Sequence, residues 1–301
     1  MPGKVPGNLS ICNLCKVKSI EIISAPSILG LQSQGVELLP EKFLGNGLAE
    51  KIGTPYPVKT VPTLNGQRSN ERDPVTHCLN PAMIHEFSIT LKKVVADTLA
   101  KDRFALVLGG DCSILIGVMC ALKAAGNYGL IFIDAHADFY EPEKSTTGEV
   151  ADMDLAIVTG RGPEILTNID GLKPYVRDEH VIQIGQRDWE ETKKFGSQDI
   201  RETNIKCFPM EVIEKKDAGK ITDEILQHIS GIDVEGFWIH FDTDVLNDAI
   251  NPAVDYRIPG GLDFAQTEQI VSKILRKVRI AGMTVTIYNA SLDKSGEIAT
   301  N

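Results

Sequence analysis

Short, nearly continuous apolar runs alternate with longer amphipathic segments along most of the chain. The strand-like runs are "KSIEIISAP" (18–26), "FALVLGG" (104–110), "YGLIFIDAH" (128–136), "HVIQIGQRD" (180–188), "IKCFPM" (205–210), "GFWIHFD" (236–242) and "AGMTVTIYN" (281–289). Apolar residues recur at helical spacing in 81–102, in 113–126 and near 223–230 and 266–278. Strands that are apolar on both faces and separated by helices predict an α/β fold with a central parallel sheet. No break in composition divides the chain, so we expect one domain over residues 1–301.

Three of these strands end in polar clusters. "VLGGDCSILIG" (107–117) presents Asp111 and Cys112, "IFIDAHAD" (131–138) presents two aspartates around a histidine, and "WIHFDTDV" (238–245) presents two more aspartates. The carboxyl ends of parallel strands meet at one edge of a sheet, where ligands bind. We therefore expect the three clusters to lie together.

The residue types in these clusters indicate metal chemistry. Asp134, His136 and Asp138 occupy alternate positions and project to one side of an extended chain, as do Asp242 and Asp244. Four carboxylates around an imidazole repel one another unless cations neutralise them. Such ligands suit hard or borderline divalent ions, manganese among them. The alternative is that these residues only cap strands and form turns.

Composition narrows the classes of function. Hydrophobic residues make up 43% and charged residues 24% of the 301, and the net charge is −10. This acidic balance argues against nucleic-acid binding, which needs clustered Lys and Arg. No apolar run has the length of a membrane span, so we expect a cytoplasmic protein with no membrane partner. The six cysteines form no disulfide framework, and "CNLC" (12–15) has the spacing of half a zinc site without a second pair.

Three ordered blocks resemble the signatures of the ureohydrolases, the family of arginase, agmatinase and formiminoglutamase. They are "GGDCS" (109–113), "DAHAD" (134–138) and "FDTDVLNDAINPA" (241–253) with "GGL" (260–262); "GVELLP" (35–40) and "IGQRD" (184–188) extend the likeness. The resemblance runs from about residue 35 to 289. It implies the three-layer α/β/α arginase-like fold with a central parallel sheet, assembled as a homo-oligomer.

The resemblance also implies a binuclear metal site. By position, Asp134 and Asp242 would bridge two divalent ions, Cys112 and Asp138 would complete one shell, and His136 and Asp244 the other. Asp138 and His136 are the catalytic candidates, with Asp138 orienting the attacking hydroxide and helping to protonate the leaving nitrogen. His240 matches no ligand position, and we expect it to be structural.

Cys112 stands where most of the family has histidine. A thiolate makes the site more negative than an imidazole does, and a soft ligand favours zinc, iron, cobalt or nickel. Manganese nevertheless remains the first expectation for the two ions. The alternative is a buried thiol beside a site with one metal.

Three further departures concern the substrate. Tyr140 replaces an asparagine of arginases, Ala151 replaces a histidine used in proton shuttling, and Ile287 replaces the glutamate that grips the guanidinium. Candidate substrate-binding residues remain by position: Ser145, Thr147, Asp188 and Glu190. If another acid substitutes for the lost glutamate, Glu149 and Asp152 are the nearest candidates.

The sequence therefore predicts a binuclear metal-dependent hydrolase of a linear C–N bond in an amidine or guanidine, with an arginine-related substrate. Because Ile287 cannot pair with a guanidinium, we expect unmodified arginine and agmatine to be poor substrates. The alternatives are agmatinase or formiminoglutamase activity, or a catalytically silent homologue that binds a metal or a metabolite.

Overall fold

One parallel sheet organises the molecule. The computed structural model describes residues 19–64 and 68–300, and the "CNLC" segment lies outside them. Within those ranges eight strands pair in the order β2-β1-β3-β8-β7-β4-β5-β6, all parallel. The strands are β1 (Ile20–Ala25), β2 (Lys59–Thr60), β3 (Phe104–Gly109), β4 (Tyr128–Ile133), β5 (Val181–Ile184), β6 (Lys206–Phe208), β7 (Gly236–Asp242) and β8 (Ile280–Thr286).

Alternating side chains fill a core on each face of the sheet. On β4, Leu130 and Phe132 pack into one apolar cluster, and Ile131 and Ile133 pack into the cluster on the opposite face. Burial on both faces explains why the strands have no polar alternation in the sequence.

Ten helices of the described chain connect the strands and cover the sheet. They are α1 (Leu39–Gly45), α2 (Leu48–Ile52), α3 (Pro81–Ala100), α4 (Leu115–Ala125), α5 (Asp154–Val158), α6 (Glu164–Thr167), α7 (Trp189–Phe195), α8 (Met210–Ile213), α9 (Ala218–Ile229) and α10 (Phe264–Lys277). Side chains of α3 and α4 belong to one core cluster, and those of α9 and α10 to the other. This confirms the predicted three-layer α/β/α fold. Among the described residues, no helix is long and apolar enough to cross a membrane.

Capping residues set helix ends that periodicity alone misplaced. The helix predicted near 223–230 begins five residues earlier, because the Asp217 carboxylate accepts hydrogen bonds from the Gly219 and Lys220 amides. Likewise α10 begins after Asp263, which forms a capping box with Gln266.

The strand order places the polar clusters together. β3 and β4 are consecutive in the chain, yet β8 and β7 lie between them in the sheet. At such a point of reversal, neighbouring crossovers run to opposite faces and leave a crevice at the carboxyl edge. Three of the four strand ends at this crevice, those of β3, β4 and β7, carry the predicted ligands.

Candidate metal centre

Close packing after β3 positions Cys112. A Cβ added at Gly110 would lie 1.6 Å from the Ser27 carbonyl oxygen, so this turn requires glycine. The next residue, Asp111, accepts hydrogen bonds from the Ser27 hydroxyl at 2.9 Å and the Ser113 amide at 2.9 Å. These contacts leave Cys112 1% exposed, with its thiol donating to Asp242 Oδ2 at 2.9 Å.

The residues after β4 fold back around their own carboxylates. Asp134 Oδ1 accepts the His136 amide at 2.6 Å, whereas Oδ2 has no hydrogen-bond partner within the described residues. His136 Nδ1 lies 2.8 Å from Asp244 Oδ2. Asp138 is buried and has a left-handed backbone (φ 45°), a conformation that aspartate tolerates better than most residues. The alternate spacing of this block therefore does not reflect a continued strand, which ends at Ile133.

A partly buried arginine holds the turn after β7. Asp242 Oδ1 accepts the Asp244 amide at 2.8 Å, and Asp244 Oδ1 accepts the Ala135 amide at 3.2 Å. The Arg187 guanidinium donates to the carbonyl oxygens of Asp244 at 2.8 Å and Ile258 at 3.2 Å. It thereby fixes the loop that carries Asp244.

These turns bring all six predicted ligands together. In each of three groups, one candidate ligand atom per residue lies within 4.8 Å of the others. The groups are Cys112–Asp134–His240–Asp242, Cys112–Asp138–Asp154 and Asp134–His136–Asp244.

Burial and mutual repulsion make these carboxylates strongly basic. Loss of solvation, followed by the charges of neighbouring aspartates, raises the pKa of Asp138 and Asp242 well above the ordinary value. The same causes raise the pKa of Asp134 to about 7. Burial also raises the pKa of the Cys112 thiol. Divalent cations would relieve this crowding of negative charge, so the donor set fits a metal centre.

An imidazole compensates part of the charge. Burial tends to lower the pKa of His136, but Asp244 and Asp134 outweigh it and raise the pKa well above its usual range. Burial correspondingly tends to raise the pKa of Asp244, and His136 outweighs it and keeps that pKa low. His136 and Asp244 therefore stabilise each other's charged forms.

Two members of the ligand groups were not predicted as ligands. Asp154 begins α5 and is fully buried, and neither carboxylate oxygen has a hydrogen-bond partner among the residues described. His240 lies on β7 beneath Asp242 and was expected to be structural. The hint of Asp154 in the sequence is only that it directly precedes the apolar run "LAIV".

A cavity of about 230 Å³ opens onto the metal centre. Leu31, Ala151 and Ile287 line it and pack with Cys112 in one apolar cluster. Ile287 has a left-handed backbone (φ 70°), which is rare for a β-branched residue. Cys112, Ala151 and Ile287, at each of which this chain departs from the family pattern, thus form one continuous apolar wall.

Acidic and aromatic residues line the rest of the cavity. Each Glu149 oxygen already accepts one hydrogen bond, from the Gln32 amide and from the Tyr256 hydroxyl, each at 2.6 Å. Asp152 accepts the Ser145 hydroxyl at 3.0 Å through Oδ2, whereas Oδ1 has no partner in the described chain. Burial raises the pKa of Asp152 to about 8.

The four predicted substrate-binding residues have different surroundings. Thr147 and Asp188 line the cavity. Ser145 is buried behind it, where its hydroxyl supports Asp152. Glu190 is exposed on α7, and its neighbour Glu191 lines the cavity instead because one helical step rotates a side chain by about 100°.

Comparisons with known proteins agree with this geometry. A family model described as the arginase family matches residues 19–301. The arginase of Staphylococcus aureus (strain MSSA476) is 28% identical over 298 residues, 95% of each chain. The crystal structure of arginase from Bacillus subtilis subsp. subtilis str. 168 superposes with a TM-score of 0.83 at 27% identity, covering 94% of this chain and 95% of that one. Formimidoylglutamase from the same organism shares the fold (TM-score 0.71, 18% identity, 94% of this chain and 83% of that one). The ureohydrolase resemblance is thereby confirmed, and this chain belongs to the arginase family.

Proposed function

We propose that this protein hydrolyses the linear C–N bond of an amidine or modified guanidine, using two divalent cations held at the crevice between β3 and β4. The observation that carries the proposal is the convergence of three ligand groups at one sheet edge, beside a cavity. Family membership supports the reaction class, a metal-dependent hydrolysis of a C–N bond other than a peptide bond.

The predicted division of ligands is compatible with the geometry. Asp134 would bridge the two ions, because it belongs to one ligand group with Cys112 and to another with His136 and Asp244. The family resemblance gives Asp242 the same role. Cys112 and Asp138 would complete one position, and His136 and Asp244 the other. Manganese is the first metal to test, and Cys112 makes zinc, iron, cobalt or nickel the alternatives.

When bound, the two ions would supply a hydroxide near neutral pH. The protein contributes orientation and proton transfer. Asp138 lines the cavity beside both Cys112 and Asp242, so its carboxylate accepts the hydrogen bond of the attacking oxygen. As the oxygen–carbon bond forms and the C–N bond breaks, Asp138 passes the proton to the leaving nitrogen.

The apolar wall supports a substrate whose reactive group is less basic than a plain guanidinium. Ile287 offers no carboxylate, and both Glu149 oxygens already accept a hydrogen bond from the protein. Asp152 keeps one free oxygen, but its raised pKa keeps it largely neutral up to about pH 8. A hydroxyguanidine or a formimino compound suits such a wall better than arginine or agmatine does.

The far end of the substrate has a more polar environment. Asp188 lines the cavity, with its carboxylate held by the Ala137 amide at 3.1 Å and the Gln186 side-chain amide at 2.9 Å. Glu191 lies on the same wall. These acids favour a cationic amino group there, as in the amino-acid end of an arginine-related substrate.

A screen for released urea, N-hydroxyurea, ammonia and formamide tests the proposal. Arginine, N-hydroxyarginine, agmatine and formiminoglutamate are supplied in parallel with manganese, cobalt, zinc or nickel. We expect the modified or formimino compounds to react fastest. Efficient turnover of agmatine would favour an agmatinase, and a protein that retains no metal and turns over none of them would favour the silent homologue.

Three further properties are proposed with this function. Residues 1–301 form one domain, because a single sheet draws strands from nearly the full described length. The family supports a homo-oligomer, which light scattering will test. The third property is a cytoplasmic location. It is supported by the four cysteines within the described ranges, which are free, as in proteins of a reducing compartment.

A further inference from the structure

A fully buried histidine lies directly beneath the metal centre. His240 is 0% exposed and sits two residues before Asp242 on β7, so both side chains project from the same face of the sheet. Its ring stacks on Phe132 of β4 with centroids 4.8 Å apart and an interplanar angle of 14°. The imidazole is therefore held in one orientation by packing.

Hydrogen bonds determine which ring nitrogen carries the proton. His240 Nδ1 lies 2.9 Å from the Thr284 hydroxyl on β8. That hydroxyl also accepts Trp238 Nε1–H at 3.3 Å and places its own hydrogen towards the Ile239 carbonyl at 3.4 Å. With the single hydroxyl hydrogen directed to the Ile239 carbonyl, Nδ1 is the donor to Thr284. Nε2 is then an unprotonated acceptor.

The ligand group that contains His240 also contains other hydrogen-bond acceptors. Both His240 Nε2 and Asp134 Oδ2 are buried without a hydrogen-bond partner in the described chain. Their residues form one ligand group with Cys112 and Asp242, whose candidate atoms all lie within 4.8 Å of one another. Unpaired buried acceptors that share a space are costly, and a cation satisfies all of them together.

We propose that His240 Nε2 ligates the ion at the Cys112 position, together with Asp134 and Asp242. The proposal rests on the function proposed above, in which this edge of the sheet binds divalent cations. Cys112 replaces the usual histidine at the end of β3, and His240 returns an imidazole to the same position from below. The Nδ1–Thr284 contact supplies the outer hydrogen bond that orients most metal-binding histidines.

The proposal makes the two metal positions chemically different. One offers a thiolate, an imidazole and carboxylates, which suit zinc, cobalt or iron. The other, built from Asp134, His136 and Asp244, offers carboxylates and an imidazole, which suit manganese. A mixed pair of ions is the expected occupancy.

Cobalt(II) tests the assignment because a cobalt–thiolate bond absorbs in the near ultraviolet. Wild type, His240→Phe, Cys112→Ser and His180→Phe are loaded with cobalt, dialysed, and measured for metal content and absorption. Phenylalanine keeps the stacking on Phe132. We expect about two ions in the wild type and about one in His240→Phe, with the thiolate band lost as in Cys112→Ser.

His180→Phe is the matched control. His180 also has a buried, unpartnered ring nitrogen but belongs to none of the ligand groups, so this variant should keep both ions and the band. Thr284→Val removes only the orienting hydroxyl, and we expect about a tenfold loss of cobalt affinity at the Cys112 position.

A second measurement does not depend on the folding of His240→Phe. In His136→Asn, the other position loses its imidazole, and X-ray absorption at the remaining cobalt should show one sulfur and one imidazole. Sulfur without imidazole at this cobalt would overturn the proposal and indicate a buried water at Nε2. A folded His240→Phe protein with unchanged metal content and an unchanged thiolate band would overturn it as well. A wild-type protein that binds no cobalt, zinc or manganese would instead overturn the proposed function.

Discussion

The carboxyl edge of the sheet, where the candidate metal centre lies, has two halves that differ in chemistry. The β4–β7 half carries Asp134, His136 and Asp138 after one strand and Asp242 and Asp244 after the other. The β3–β8 half carries Cys112 and Ile287, which pack in a common apolar cluster. Both halves belong to one sheet, because β7 pairs directly with β8.

This difference separates two tasks. The β4–β7 half has the charge and geometry to hold cations, and its carboxylates are held by backbone amides. The β3–β8 half has a thiol and an alkyl side chain at positions where the family resemblance implies polar groups. We infer that the reaction class depends on the first half and its specificity on the second.

The largest effect is expected from a bridging ligand of the β4–β7 half. Asp242→Asn should lower kcat at least about 1,000-fold and reduce the bound metal, since an amide neither neutralises nor bridges cations well. Turnover and metal content measure this. Asp293→Asn, at a buried carboxylate hydrogen-bonded to Tyr288, should leave the activity per folded molecule unchanged. Equal losses in both variants would show that the loss does not come from the metal site.

The next effect concerns Ile287. Ile287→Glu places a carboxylate at the cavity wall, and a charge-assisted hydrogen bond contributes about 1.5–3 kcal/mol. We expect kcat/KM for arginine to rise about 10- to 150-fold relative to Ile287→Gln, which has nearly the same shape and no charge. The left-handed backbone at this position accepts an unbranched side chain more readily than isoleucine. If both variants behave alike, the wall does not select against guanidinium groups.

Cys112 should control metal preference. Cys112→His removes the soft ligand, so competition between manganese and zinc should shift towards manganese by about tenfold or more. Cys120→Ser, at a buried thiol that donates to the Ile169 carbonyl, provides the control and should not shift it. Unchanged competition in Cys112→His would place the thiol outside the metal shell.

The smallest effect is a pH dependence from Asp152. Burial raises its pKa from 3.8 to about 8, so the folded state binds this proton more tightly than the unfolded chain. Its contribution therefore makes the free energy of unfolding fall as pH rises between those values. Asp152→Asn should flatten the fall in urea midpoint between pH 5 and pH 8.

Asp293→Asn serves as the control, because the pKa of Asp293 is shifted in the opposite direction from that of Asp152. Burial tends to raise the pKa of Asp293, but hydrogen bonds from the Tyr288 hydroxyl and backbone amides lower it below 3.8. The contribution of Asp293 to the free energy of unfolding is lost only as the pH falls below 3.8. The slope between pH 5 and pH 8 should therefore match the wild type.

Local patterns determined the fold class and the ligands named from motifs. Apolar strand runs, helical spacing and three polar strand ends are all short-range features, and they predicted the parallel sheet, the family and the reaction class, a metal-dependent C–N hydrolysis. Asp134, His136, Asp138, Asp242 and Asp244 were predicted because parallel strands place their carboxyl ends at one edge. Helix starts such as that of α9 were misplaced, because capping by Asp217 depends on single hydrogen bonds rather than on periodicity.

Other features of the site depend on contacts between distant segments. The order of the strands sets β8 and β7 between β3 and β4, so Ile287 joins Cys112 and Ala151 in one wall. Neither the hydrogen bonds that Glu149 accepts nor the exposure of Glu190 could be read from their positions in the chain. His240 and Asp154 resemble ordinary core residues in sequence. Only the tertiary structure leaves their polar atoms buried without partners beside the ligands, because hydrogen-bond satisfaction is decided by which segments meet.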